Sequence, residues 1–345
     1  MTETSDPSSA PADIDPGSSG ILDVLEAAAT GLPAPVRRNA WHAFSRLCAG
    51  LAAIPVVWLE GKAEDIRATT AARTLLTATA AKQIANSMQV APEFAEAAAI
   101  RHGQKIVGKQ INLNKVVKHA VEDLGRLEVH VEQVEPPQMS EDWLNAFEDR
   151  AANMSSEDMQ RLFGRILAGE IRKPGAFSIR TLNVISQLDN NAARLFTRLC
   201  SLAVSIAFRD PSGTTDSRVI ALGGNASANV LREFGLGFGS LTVLEEYGLI
   251  ITDFNSYIDY KHAIAVNGEV GAAFRFQGTW WALVSKTGAP PAELRIHGVK
   301  LSGVGRELLP IVEIEKDEAY AERLVSFFDT LGFDLARVKE EASLK

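Results

Sequence analysis

Metal, redox and hydrolytic chemistry need His, Cys, Asp or Glu at particular spacings, and this 345-residue chain offers few such sets. His42, His102, His119, His130, His262 and His297 are scattered, with no HExxH pair and no metal-ligand spacing, so each reads as a surface or core residue. Cys48 and Cys200 sit in apolar, helical surroundings with no sequence-local His or Lys to activate a thiolate. They form neither a disulfide framework nor a zinc motif, and they suit a reducing cytoplasm. No GxSxG nucleophile elbow occurs. In GLGFGSL, residues 235–241, Ser240 stands where a dinucleotide fingerprint needs its third glycine, and no Walker lysine follows. That stretch reads as a turn ahead of a helix. Glu141, Asp142, Glu148 and Asp149 read as a solvated helical face, the first two favoured by the helix dipole near Ser140. No catalytic, cofactor-binding or metal-ligating residue is assigned, no cofactor is expected, and a non-enzymatic protein is the reading. An enzyme with an unrecognised site is the residual alternative.

One cluster points to binding. Arg101, Lys105 and Lys109 recur every fourth residue, Lys115 and Lys118 extend the positive segment, and no acid occurs between Glu96 and Glu122. Such a row could hold a polyanion by counterion release, with steep weakening by salt. The bland explanation is a long helix that solvates itself with Lys and Arg.

These residues need elements to position them. The net charge of -8 and the hydrophobic share of 46% suit a soluble chain and leave room for a local basic patch. Residues 1–19 are rich in Ser, Pro, Asp and Gly and read as a disordered lead-in, not a signal peptide. Residues 20–134 read as an extended helical region. Within it, the apolar run 47–59 reads as a buried helix over a helix lying on a membrane, although Arg37, Arg38 and Arg46 flank it. A long Ala-rich helix is expected at about 60–88, and Pro92 is placed to begin the next.

Residues 138–209 read as a compact helical bundle. Ser140 caps a helix burying Trp143, Leu144 and Phe147. Ser155 and Asp158 resemble a capping box ahead of the stripe Met159, Leu162, Phe163, Ile166 and Leu167, with Gly169 expected to end the helix and Pro174 to prevent its resumption. Ser178 caps a second helix with Ile179, Leu182, Ile185 and Leu188 inward. Asp189 caps a third, burying Leu195, Phe196, Leu199, Ala203 and Ile206. Residues 215–335 read as a smaller α+β module resembling a winged helix. It has a short helix closed by Gly248 and then a strand, a hairpin of 262–266 with 272–276 about Asn267-Gly268, strands at TWWALV and ELRIHGVKL, a helix capped by Ser302, and an amphipathic closing helix. Its candidate recognition helix carries Glu245 and Glu246 and no cation, which suits a protein contact better than a DNA groove. Alternation puts one ring of Trp280-Trp281 on each strand face. The fold class expected is mainly α: long Ala-rich helices and a bundle, then a smaller winged-helix-like module.

The stretches INLNKVVKHAVEDL, the block running from EDWLNAFEDR to NNAARLF, and KLSGVGRELLPIV resemble the bacterial family called domain of unknown function 2806. Phe163 and Gly164 stand where that family more often shows Trp and Ala. A weaker similarity to abortive-infection alpha proteins implies a part in phage defence. The resemblance carries over no catalytic residues. The functional reading is an interaction or assembly protein of the cytoplasm, with a protein partner or self-association, placed by the resemblance in stress or phage defence. The alternative is a nucleic-acid-binding protein that uses the basic stripe and the winged-helix-like module. A membrane-surface partner is disfavoured.

Overall fold

A computed structural model describes residues 32–48, 92–126, 137–208, 215–225, 227–266, 269–288 and 290–338. The chain forms two compact units that divide between Ala176 and Phe177, so the bundle expected at 138–209 is shared between them. The lead-in at 1–19, the long helix expected at 60–88 and nearly all of the apolar run 47–59 lie outside the described residues.

The described part of the first unit consists of four helices: α1 (Ala34–Leu47), α2 (Pro92–Arg126), α3 (Glu141–Ala151) and α4 (Glu157–Arg172). The C-terminal half of α2 buries Leu113, Val117, Ala120 and Leu124, and α4 buries Phe163, Ile166, Leu167 and Ile171. A Cβ on Gly164 would lie 2.6 Å from His119 Cβ and 3.0 Å from the Ala120 nitrogen, so the missing side chain sets how closely α2 and α4 cross. Two amides lock the same crossing: Gln160 Nε2 donates to Asn112 Oδ1 (3.2 Å) and to Met154 O (2.9 Å), while Asn112 Nδ2 donates to Ala152 O (3.0 Å). Ser140 caps α3 as its sequence predicts, accepting from the Trp143 N–H at 3.4 Å.

Two local expectations about α4 are corrected. Its cap is Ser156, without a side-chain bond, and the Ser155–Asp158 box does not form; Glu157 and Asp158 instead favour the first turn through the helix dipole. Nor does Gly169 end the helix. Burial of Ile171 carries α4 on to Arg172, and the left-handed residue is Gly175 (φ 86°), just after Pro174.

The second unit opens with α5 (Ile179–Gln187) and α6 (Asn190–Leu202), capped by Ser178 and Asp189 as predicted. Ile179 is 41% exposed, not inward. A single residue, Ala203, separates α6 from strand β1 (Val204–Ala207), so Ile206 belongs to a strand and not to the helix. The strands β2 (Thr215–Ile220), β3 (Ile250–Ile251), β4 (Tyr257–Asp259), β7 (Phe274–Phe276), β8 (Thr279–Ser285), β9 (Arg295–Leu301) and β10 (Phe333–Val338) complete an eight-stranded sheet. Its order is β10-β8-β7-β1-β2-β9-β3, with β4 also on β9, and each pairing is antiparallel. The helices α7 (Phe238–Glu246), α8 (Gly303–Leu308) and α9 (Glu318–Thr330) are interleaved with it, and α8 takes its cap from Ser302 as predicted.

This sheet overturns the expectation of a mainly α chain with a small winged-helix-like module: the fold is α+β. The error has a local cause. Leu199, Ala203 and Ile206 keep helical spacing into β1, and the β2 sequence TDSRVI buries Asp, Ser and Arg where a strand was expected to show apolar alternation. The expected hairpin is corrected too. Its first strand, β5 (Ala265–Val266), pairs with β6 (Glu269–Val270), while β7 pairs with β1 and β8; Asn267-Gly268 itself lies outside the described residues. The amphipathic C-terminal segment does form a helix, α9, but the chain then continues into the edge strand β10.

The strand registers put Val204, Ile206, Asp216, Arg218, Phe274, Phe276 and Trp281 on one face of the sheet. The 3₁₀ turn Tyr260–Ala263 and α9 cover that face. Tyr260, Phe274 and Phe328 pack with ring centroids 5.7–6.3 Å apart, and the Tyr320 hydroxyl donates to Ile220 O at 3.0 Å.

Candidate functional site

The helix α2 carries all five sequence-predicted binding residues. At about 100° of turn per residue, Arg101, Lys105 and Lys109 fall within about 80° of one another, while Lys115 lies about 40° to the other side of Arg101 and Lys118 about 100°. The five cations therefore spread over about half of the helix circumference. Arg101, Lys105, Lys115 and Lys118 are exposed, and Lys109 is half-buried at the edge of the packed face. None of the five is paired with a carboxylate among the described residues.

The apolar side chains between these cations escaped the sequence reading. Ile106, Val107 and Ile111 are 48%, 58% and 48% exposed. Ile106 precedes Leu113 by seven residues, so it extends the row that is buried at Leu113, Val117, Ala120 and Leu124. Val107, Ile111 and Lys118 share a second row. The N-terminal half of α2 thus presents β-branched side chains among unpaired cations. Only the period of the apolar residues beyond Leu113 could have signalled this in the sequence.

Other candidate residues go to separate places. Glu141 faces α1, with Oε1 2.8 Å from His42 Nε2 and Oε2 paired to Arg46, and Glu148 lies 3.8 Å from Arg46. Two of the four acids, Glu141 and Glu148, therefore join α3 to α1, while Asp142 and Asp149 are exposed. His119 lies 3.3 Å from Glu122, His262 meets the edge of Phe208, and His297 packs beside Tyr257; His130 lies outside the described residues. Among the described residues no group of three His, Cys, Asp or Glu could hold a metal ion. Cys48 and Cys200 are buried and unpaired. Burial pushes the Cys48 thiol up to about 11 and Cys200 higher still, so neither is a thiolate near neutral pH. In the glycine-rich stretch, Gly235 takes the left-handed conformation (φ 82°) and Gly237 caps α7, which is the turn ahead of a helix that the residues predict. Glu245 accepts from the Thr252 N–H (3.2 Å) and hydroxyl, so α7 offers no groove-reading cation.

A buried ion pair also went unseen. Arg218, 1% exposed, forks onto Asp216 through Nε (2.5 Å) and Nη2 (2.9 Å), while its Nη1 donates to Ser256 O and Ile296 O, both at 3.2 Å. Lys300 lies 3.4 Å from the same carboxylate. Beside them, burial and then the Asp216 charge raise the Tyr260 hydroxyl well above the usual tyrosine range. The guanidinium is held on both sides by partners of its own chain, so the cluster is a clamp on β2, β9 and the loop before β4. The alternation of Asp216 and Arg218 in TDSRVI was its only trace in the sequence.

The family model described as a protein of unknown function (DUF2806) matches residues 96–325, well over half of the chain. The chain belongs to this family. The DUF2806 match takes in all five cations of α2 and ends within α9. No curated protein and no solved structure matches the chain. The comparisons do not show the weaker likeness to abortive-infection alpha proteins.

Proposed function

We propose that this DUF2806 protein is a non-enzymatic assembly protein that associates with a second copy of itself through the N-terminal half of α2. The observation that carries the reading is the exposure of Ile106, Val107 and Ile111 among cations with no paired acid among the described residues. An aliphatic side chain exposed singly is ordinary, but three within six residues of one helix, Ile106 on one row and Val107 with Ile111 on the next, favour a protein surface that removes them from water. They also favour protein over nucleic acid, because phosphate contacts use Lys and Arg and leave β-branched aliphatics idle. Charge complementarity points to a like chain: α2 is locally positive on a chain with net charge -8, so a second copy supplies the acid surface.

Sedimentation velocity across a concentration series tests this. A reversible dimer is expected, weakened by Val107→Asp with Ile111→Asp and by raised salt. A monomer at every concentration sinks the reading. Salt-sensitive binding of random duplex DNA that is lost on charge reversal of Arg101, Lys105 and Lys109, with no dimer present, replaces it with polyanion binding. Two buried, unpaired cysteines suit a reducing compartment, which supports a cytoplasmic site; among the described residues no helix is long and apolar enough to cross a membrane. A role in phage defence rests on the weaker resemblance alone, and an unchanged plaque count on cells expressing the protein would discard it.

A further inference from the structure

The eight-stranded sheet ends differently at its two edges. At one edge, β3 and β4 are two and three residues long. At the other, β10 runs six residues in unbroken register against β8, from Phe333↔Ser285 to Val338↔Trp280. A strand that stays unpaired on its outer side is normally kept short, bulged, or guarded by proline or lysine. The β10 sequence FDLARV has neither proline nor lysine, and its register skips no residue.

The register fixes which backbone groups are free. Residues along an antiparallel strand alternate between those that exchange hydrogen bonds with the neighbour and those whose N–H and C=O point away from it. The Lys286 N–H donates to Gly332 O at 3.0 Å, so Asp334, Ala336 and Val338 turn their backbone groups toward β8 in the same way. Phe333, Leu335 and Arg337 turn theirs outward. Their N–H and C=O groups have no partner among the described residues.

A second β10 complements this edge. When a two-fold axis relates two antiparallel strands, opposed residues share a sheet face, so the axis passes between a residue and its own mate. With the axis at Leu335, Leu335 opposes Leu335 and Phe333 opposes Arg337 in both directions. All the outward groups of both copies are then bonded. Asp334 faces Ala336, so no like charges meet. An axis at Asp334 or at Arg337 opposes two like charges, and an axis at Ala336 leaves Phe333 outside the paired segment. Leu335, half-buried in the single chain, loses its remaining contact with water on the axis.

We propose that β10 pairs antiparallel with β10 of a second copy, the two Leu335 residues facing each other across the two-fold axis, so that two sheets join edge to edge. The contact is distinct from the one assigned to α2, and a chain that uses both assembles beyond a dimer. Backbone hydrogen bonds carry it, so salt leaves it unchanged, in contrast to association through the cations of α2.

The full chain carrying Val107→Asp with Ile111→Asp, which removes the α2 contact, isolates this edge in sedimentation velocity. A reversible dimer is expected at the upper end of a concentration series, at low and at high salt alike. Leu335→Pro removes an outward N–H and no bond to β8, so the fold should stand while the dimer is lost. Leu335→Lys, which opposes two cations on the axis, takes its place if the proline variant fails to fold by circular dichroism. Oxidation of Leu335→Cys and, separately, of Ala336→Cys reads the register, because the native Cys48 and Cys200 are buried. Opposed Cα atoms in a hydrogen-bonded pair lie about 5.5 Å apart, within disulfide reach, so the Leu335 variant should give a covalent dimer and the Ala336 variant should not. A monomer at every concentration in the α2 variant overturns the β10 contact, whether or not the wild type dimerises through α2. A dimer that survives the folded Leu335 variants overturns it too. Cross-linking through Ala336→Cys in preference to Leu335→Cys overturns the register.

Discussion

Two contacts, one in each unit, hold their buried polar groups in opposite ways. In the first, the contact of α2 with α4 is sealed by neutral amides, Gln160 and Asn112, around a glycine that removes a clash. In the second, strands β2 and β9 and the loop before β4 are tied by a charged pair that is wholly out of water, Asp216 with Arg218. Neutral amides lose little on burial when both of their ends find partners. A buried guanidinium and carboxylate survive only because the fork geometry is met and the remaining donors reach backbone carbonyls. The helical contact should therefore tolerate loss of one partner, and the sheet should not.

Arg218→Ala gives the largest test of that contrast. It strands Asp216 in the core with Lys300, at 3.4 Å, its remaining ion-pair partner among the described residues, and should cost about 3–5 kcal/mol, read as a fall in the urea midpoint. If the loss is below about 1 kcal/mol, the pair is not the clamp its geometry describes. Gly164→Val comes next: its Cβ meets backbone and the His119 Cβ, so α2 must shift, at about 1–3 kcal/mol, visible as lost hydrogen-exchange protection in α2 and α4. Gln160→Ala leaves Asn112 Oδ1 and Met154 O without their donor and should cost about 1–2 kcal/mol, well under the Arg218 change. An equal loss would erase the distinction between the two contacts.

The smallest effect belongs to a cap. Asp189→Ala removes the acceptor of the Ala192 N–H (2.7 Å) and should lower the urea midpoint least of the four changes. The backbone N–H of Ala192, foremost, holds the Asp189 carboxyl below the ordinary range, with the Tyr247 hydroxyl also donating to it. A depressed folded pKa means that this contribution is present above about pH 4 and is lost as the pH falls further. The difference between wild type and Asp189→Ala should therefore narrow in acid melts and be full at neutral pH.

What could be read from the sequence follows from distance along the chain. The caps at Ser140, Ser178, Asp189 and Ser302 are correct, because a side chain reaching an N–H three residues on needs no tertiary partner. Strand β1 was missed because four residues after a helix can keep its periodicity; only hydrogen bonding to β2 and β7 makes them a strand. Likewise, the basic row on α2 was legible from spacing, while the exposure of Ile106, Val107 and Ile111 between its cations was not.

By itself the sequence determined the starts of α3, α5, α6 and α8, the family and the run of cations between Glu96 and Glu122, all of them local in the chain. The tertiary structure alone decided that the C-terminal half is built on an eight-stranded antiparallel sheet, and that Asp216 and Arg218 face one another in its core. Each of those depends on residues far apart in sequence, where burial and pairing override the local preference of any one segment.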